Sequence, residues 1–378
     1  MTAVIVGRVG RSLVFAAALA VLACSREQAT PSASEATVVP AARAASLPAL
    51  PEPRSNLALA AVARDDGMYL VAANGLGTGK TAADIKRNLW VLDPGADHWR
   101  SLPDLPVAEG RLASAAVAIA GRAYLLGGYS VAADGSETST PEVFSIDPLS
   151  SAVSRRADMP IPVDDAVALP WRDRYIVLVS GWHQQGNVAA VQIFDTETDR
   201  WQAASDFPGE PVFGHAGGLV GDELLICDGV TASRDAAGKG VFAMTDACYR
   251  GRLDPAVIGQ IEWQPVTAHP GRPRYRMAAT GSTLDGDRVV FAGGSENPYN
   301  YNGIGYDDQP AAASSAVFSY DFARDQWQQH APTTVATMDH RALIETAGSF
   351  HLIGGMHDPQ TVSADVVSFR LMPLASAP

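Results

Sequence analysis

FAGGSENPYNYNGIGYDD, residues 291–308, joins an element that repeats along the chain to one that occurs once. Its first half is an apolar strand running into the glycine pair Gly293 and Gly294. Its second half is a long loop rich in Asn, Tyr and Gly. Working outward from the glycine pair, the strand and its small residues recur at residues 68–75 (MYLVAANG), 123–129 (AYLLGGY), 175–182 (YIVLVSGW), 223–230 (ELLICDGV) and 350–356 (FHLIGGM). The small pairs end at Asn74, Gly128, Gly181, Gly229, Gly294 and Gly355.

The interval between these pairs is about 50–65 residues, the period of a propeller built from β-sheet blades. Each unit has a further strand beyond a variable loop: residues 89–94 (LWVLDP), 143–148 (VFSIDP), 191–196 (VQIFDT), 249–255 (YRGRLDP), 317–322 (VFSYDF) and 366–371 (VVSFRL). Their alternation of apolar and polar residues fits half-buried strands. A tryptophan follows in four units, at Trp99, Trp201, Trp263 and Trp327, with Val153 in its place in the second. Leu-Pro or Met-Pro endings close units, as in residues 101–106 (SLPDLP) and 156–160 (RADMP).

Glycine pair, later tryptophan and proline ending together resemble kelch repeats, and the resemblance runs from about residue 47 to the C-terminus. It implies an all-β, six-bladed kelch-type β-propeller. The sixth unit has no room for a fourth strand, yet residues 45–51 (ASLPALP) carry the ending of one and precede the first unit. Folded back beside residues 366–371, this N-terminal strand would complete the last blade and close the ring, removing the open edges that invite aggregation.

The bulk properties agree. A 47% hydrophobic chain of 378 residues can build a substantial core, and its 34 Gly and 25 Pro supply turns. The net charge of -13 is spread along the chain, and no Lys/Arg cluster could track a phosphate backbone, which excludes nucleic acid as the expected partner. Residues 1–24 read as an export signal: Arg8 and Arg11 precede an apolar run that ends at Cys24. The ending VLAC resembles a bacterial lipobox, which implies a lipidated Cys24, membrane attachment through that anchor alone, and a place in the periplasm or cell envelope as an outer-membrane lipoprotein. Residues 25–46 read as a flexible tether of Ala, Ser, Thr and Pro, and residues 47–378 as one propeller. Cys227 and Cys248 fall in one repeat on strands expected to be neighbours, so a structural disulfide is expected in an oxidising compartment, the alternative being two buried thiols.

Antiparallel blades of four strands send the links between second and third strands, and those from blade to blade, to one common face. The opposite face receives tight turns such as Asp65-Asp66-Gly67, Ala120-Gly121-Arg122, Gly221-Asp222 and Asp285-Gly286-Asp287. Loops on a rigid scaffold are where recognition sits, so the long-loop face is the candidate site. Its expected ligand-binding residues are Arg111, His183, His215, Arg274, Arg276, His340, Arg341 and His357, together with Tyr299, Asn300, Tyr301, Asn302 and Tyr306 from the non-repeating loop. The tyrosines offer flat faces with hydroxyl tips and the asparagines paired donors and acceptors, which suits a polyhydroxylated ligand. The loop can equally pack on itself. The arginines recur with the repeat and can pair with carboxylates around the channel, and the histidines have no metal-ligand spacing, so neither a metal nor a cofactor is expected.

Three functions fit. The first is an exported, monomeric binding module for a carbohydrate, another cell-envelope ligand or a partner protein. The second is a sugar mutarotase or epimerase: the chain resembles periplasmic sialic acid mutarotases in length, export, six kelch blades and the long fifth-blade loop. That resemblance implies an acid/base pair, for which Glu296, Asp339, Asp165 and His340 are candidates, and an arginine for the substrate carboxylate. The family's functional carboxylate follows an Asn-Gly in the fourth blade, where this chain has Asp228-Gly229-Val230. The third is a copper-radical oxidase like galactose oxidase, which needs a tyrosine crosslinked to a cysteine.

Overall fold

The computed structural model describes residues 47–373, so the export signal, Cys24 and the tether lie outside the described residues. Within them the chain forms six antiparallel sheets in sequence order. Blade one is Ala58–Arg64, Gly67–Ala73, Leu89–Leu92 and Arg100–Leu102. Blade two is Ala115–Ile119, Arg122–Leu126, Val143–Ile146 and Val153–Arg156. Blade three is Val167–Trp171, Tyr175–Val179, Val191–Asp195 and Arg200–Ala203. Blade four is Ala216–Val220, Glu223–Cys227, Cys248–Leu253 and Ile261–Val266. Blade five is Ala278–Ser282, Arg288–Ala292, Val317–Asp321 and Gln326–His330, and blade six is Ile344–Thr346, Ser349–Ile353 and Val366–Phe369.

Alternating side chains of each second strand go to opposite neighbours. In blade one, Tyr69 and Val71 join the core shared with blade two, while Leu70 and Ala72 join the core shared with blade six. The pattern continues round the ring, so the sheets are buried on both faces, as a stack of blades requires. The inner strands are rich in Ala and Gly because they crowd at the axis. A Cβ on Gly281 would lie 2.0 Å from the Leu219 carbonyl oxygen, so the approach of blades four and five requires glycine there.

The small-residue pair has a conformational reason. Both of its residues lie in the left-handed region in all six blades: Asn74/Gly75, Gly127/Gly128, Ser180/Gly181, Asp228/Gly229, Gly293/Gly294 and Gly354/Gly355. The second is always glycine, whereas the first admits Asn, Asp or Ser. The first pair is therefore Asn74/Gly75, one residue later than the sequence reading placed it.

The ring closes through the N-terminal segment. At the end of blades one, two, three and five, the N–H groups of Leu105, Met159, Phe207 and Thr333 donate to Arg87, Pro141, Ala189 and Ser315, each two residues before a third strand. Leu50 donates in the same way to Ala364, 2.9 Å away, two residues before the third strand of blade six. Trp201, Trp263 and Trp327 each donate an indole N–H to a carbonyl at the end of the preceding blade, and Trp99 makes the same bond to Pro48. Leu50 is buried with Ile344, Ile353 and Trp90. The segment thus stands where the missing strand of blade six would, although among the described residues only its end pairs with that blade. In blade four, Cys227 and Cys248 are directly opposite on paired strands and form the expected disulfide.

Candidate functional site

On the long-loop face the links between second and third strands fold into small ribbons: Tyr129–Val131 with Glu137–Ser139, Trp182–His183 with Gly186–Asn187, Val230–Arg234 with Gly240–Met244, and Met356–His357 with Thr361–Val362. Each ribbon, or its equivalent loop, is tied to the blade entry by one repeated bridge: Ser55 to Leu76, Leu112 to Tyr129, Asp164 to Trp182, Phe213 to Val230, Tyr275 to Ser295 and Met338 to Met356. The next residue of every entry is left-handed: Asn56, Ala113, Asp165, Gly214, Arg276 and Asp339. These six positions link blade to blade. Asn56 N–H donates to Asp339, Asp165 to Ala113, Gly214 to Asp165 and Arg276 to Gly214, while His340 donates to Arg276 and Ala113 to the Asn56 side chain.

The side chains of this ring form a buried polar plug. Arg276 donates from Nε and Nη2 to Asp165 at 3.1 and 2.6 Å, and from Nη1 to Asp339 at 3.1 Å. Its guanidinium lies over the rings of Tyr275 and Tyr299, 4.7 and 5.4 Å from their centroids. Arg341 contacts Asp165 and donates to Asn56 Oδ1. Burial alone would raise the Asp165 carboxyl, but the two arginines hold it below its ordinary range.

Above the plug, blades two to five enclose a cavity of about 240 Å³. Its walls are Tyr129, Trp182, Phe213, Phe242, Tyr301 and Tyr306, and its polar groups are Glu137, Asp164, Asp165, Arg276 and Asn300. Tyr306 stacks on Phe242 with centroids 4.1 Å apart. Asp164 is buried and accepts 2.6 Å from Ser139 Oγ; burial and the adjacent Asp165 push its carboxyl well above the usual range. Crowding raises Glu137 as well, against the pull of Arg276, although the residue stands at the exposed rim.

The sequence-predicted residues divide between this cavity and other places. Arg276, Asp165, Asn300, Tyr301 and Tyr306 line it. Tyr299 is fully buried beneath, against Tyr275 and Arg276, and Asn302 accepts the Ile304 N–H within its own loop. His215, His340 and Arg341 line the channel bounded by the inner strands. Burial lowers His215 to about 4 and His340 to about 3, so both are neutral; they bond Val179 O and Thr337 Oγ1. His183 and His357 bond the carbonyls of Pro162 and Ala336. Arg111 holds the Glu109 carbonyl near Glu142, and Arg274 lies 3.6 Å from Glu296. Asp339 belongs to the plug. Among the described residues no group of three His, Cys, Asp or Glu is arranged to hold a metal. With Cys227 and Cys248 joined to each other, neither can supply the tyrosine crosslink of a copper-radical oxidase.

Sequence reasoning missed Tyr129, Glu137, Trp182, Phe213 and Phe242 and did not single out Asp164. Four of these six had a signal: Tyr129 and Trp182 directly follow the glycine pair, and Asp164 and Phe213 are the bridge residues that precede the inner strands.

Six sheets around a channel, with long connections gathered on one face, define a β-propeller, and the repeats make it a kelch-repeat propeller. Comparison with known proteins agrees. No protein-family model matches the chain. Kelch-like protein 15 from Gallus gallus is 29% identical over 139 residues, covering 37% of this chain and 26% of the relative. Kelch-like protein 15 from Mus musculus is 27% identical over 48% of this chain, and Beta-scruin from Limulus polyphemus 25% identical over 68%, each again matched over 26% of its own length. The chain thus spans about a quarter of these relatives. A solved structure titled "Structure of YjhT" superposes with a TM-score of 0.66 at 16% identity, covering 86% of this chain and 97% of that one, a likeness of fold.

Proposed function

We propose that this propeller binds a small polar ligand, of the size of one sugar ring, in the cavity over its central plug. The observation that carries the reading is the combination of aromatic walls with carboxyl and amide groups on one cavity of about 240 Å³, just below the usual span of ligand sites. Rings supply stacking faces and the polar groups fix orientation, the division of labour that sugar recognition needs. Isothermal titration with a panel of monosaccharides, repeated on Tyr306→Ala and Phe242→Ala, tests it. Binding that weakens at least ten-fold in both variants is expected; binding untouched by either would place the site elsewhere.

A second reading, sugar mutarotation, draws on one specific observation. Adjacent carboxyls Asp164 and Asp165 are driven in opposite directions, the first up by burial and the second down by Arg276 and Arg341. Such a split suits a proton donor beside a permanent anion. Proton NMR of anomer exchange, with and without protein, tests it, and an unchanged exchange rate for every sugar that binds rejects it. Export and anchoring at Cys24 in the cell envelope complete the proposal, supported by the N-terminal pattern and by the disulfide, which belongs to oxidising compartments. The mass of the mature N-terminus tests this part.

A further inference from the structure

We infer that the ligand of this cavity carries an ammonium group, a protonated amino sugar fitting it best; the inference rests on the proposed cavity as the binding site. The charge balance of the plug gives the first reason. Asp165 and Asp339 are matched by Arg276 and Arg341, so these four groups cancel. Glu137 and Asp164, also on the cavity wall, form no ion pair among the described residues.

The donors of Arg276 give the second. Its Nε–Nη2 edge is taken by Asp165 and its Nη1 also bonds Asp339, so three of its five N–H groups are already committed within the plug. An anionic sugar would meet Glu137 and Asp164, and the arginine lining the cavity is already bonded to two carboxylates. The third reason is the wall itself. Six of the eleven lining residues are aromatic, the side chains whose π-faces attract organic cations. Asp164 adds a buried acceptor: Ser139 occupies Oδ2, and Oδ1 takes no hydrogen bond from the described residues. Burial pushes the Asp164 carboxyl up and an ammonium group beside it would pull it back down, so proton release to the buffer on binding is an added readout.

The test is titration calorimetry at pH 7 with glucosamine, N-acetylglucosamine, glucose and N-acetylneuraminic acid, in two buffers of different ionisation enthalpy. Choline serves as a cation without a sugar ring. Glucosamine is expected to bind at least ten-fold more tightly than its N-acetyl form, with proton release. Asp164→Asn and the rim variant Glu137→Gln should each erase most of that preference while leaving weak neutral binding. Choline binding as tightly as glucosamine would keep the ammonium requirement and remove the sugar. If neutral or anionic sugars bind as well as glucosamine, and Tyr306→Ala weakens them, the charge inference fails while the cavity stands. If none of the probes binds, or Tyr306→Ala changes nothing, both are overturned.

Discussion

Replacing Arg276 with methionine removes the guanidinium and keeps most of the volume. Two carboxylates buried beside it, Asp165 and Asp339, then lose their bridging cation. Breaking a buried ion pair on one side costs about 3–5 kcal/mol, and loss of the cation over Tyr275 and Tyr299 adds about 1 kcal/mol. Arg341 still neutralises Asp165, so the larger share falls on Asp339, whose carboxylate keeps, among the described residues, the Tyr299 hydroxyl at 3.5 Å. We expect the variant to lose about 4–6 kcal/mol of unfolding free energy at pH 7. The pH dependence gives the argument its sign. In the native protein Asp165 is held low, so its stabilisation is present above the unfolded carboxyl range and is lost only as pH falls through its depressed folded value. In the variant, Asp165 loses the larger of the two arginine pulls that oppose its burial, a penalty that protonation relieves. The deficit should therefore shrink between pH 7 and about pH 4.5. Urea unfolding followed by tryptophan fluorescence at both pH values measures it. A loss under about 1 kcal/mol at pH 7, or an equal loss at both values, would refute the role given to the plug.

Three further outcomes are expected. Deleting residues 47–50 removes the buried Leu50 and the bonds to Ala364 and Trp99, and should cost about 4–5 kcal/mol in denaturant unfolding; an unchanged midpoint would argue against this closure of the ring. Replacing Cys227 and Cys248 together with alanine should cost about 3 kcal/mol under oxidising conditions and nothing extra when the parent protein is reduced, as unfolding with and without reductant would show. Burial alone would lower His269, but both Asp228 oxygens at 2.9–3.0 Å more than reverse this and raise it. The stability it contributes is present below about pH 6.5 and lost as pH rises through the higher folded value, so His269→Asn should be more damaging at pH 6 than at pH 9 in thermal melts.

Much of the architecture could be read in advance because it depends on local, repeated requirements. Two left-handed residues after every second strand force Gly, or Asn, Asp and Ser at the first position, and that constraint is visible in any single repeat. The disulfide was legible for the same reason, since register within one blade places Cys227 opposite Cys248. The cavity was less legible because its walls come from four blades and from frame positions where the repeat sets the backbone and leaves the side chain free. Tyr299 shows the converse: its composition suits a ligand surface, yet its backbone bridge to Gly305 turns it inward, and Tyr301 and Tyr306 face the cavity instead. His215 and His340 share a face of the ring in sequence terms, but each follows or nearly follows a plug residue and so falls on the channel side.

The bond between Leu50 and Ala364 joins segments that leave the ribosome at opposite ends of the propeller's synthesis. Until the strand Val366–Phe369 has emerged, blade one must wait with Leu59, Leu70 and Trp90 uncovered on the side later occupied by blade six. The nascent chain therefore carries an apolar flank for most of its translation, and it is in that interval, before the circle is shut, that chaperones would find their natural grip.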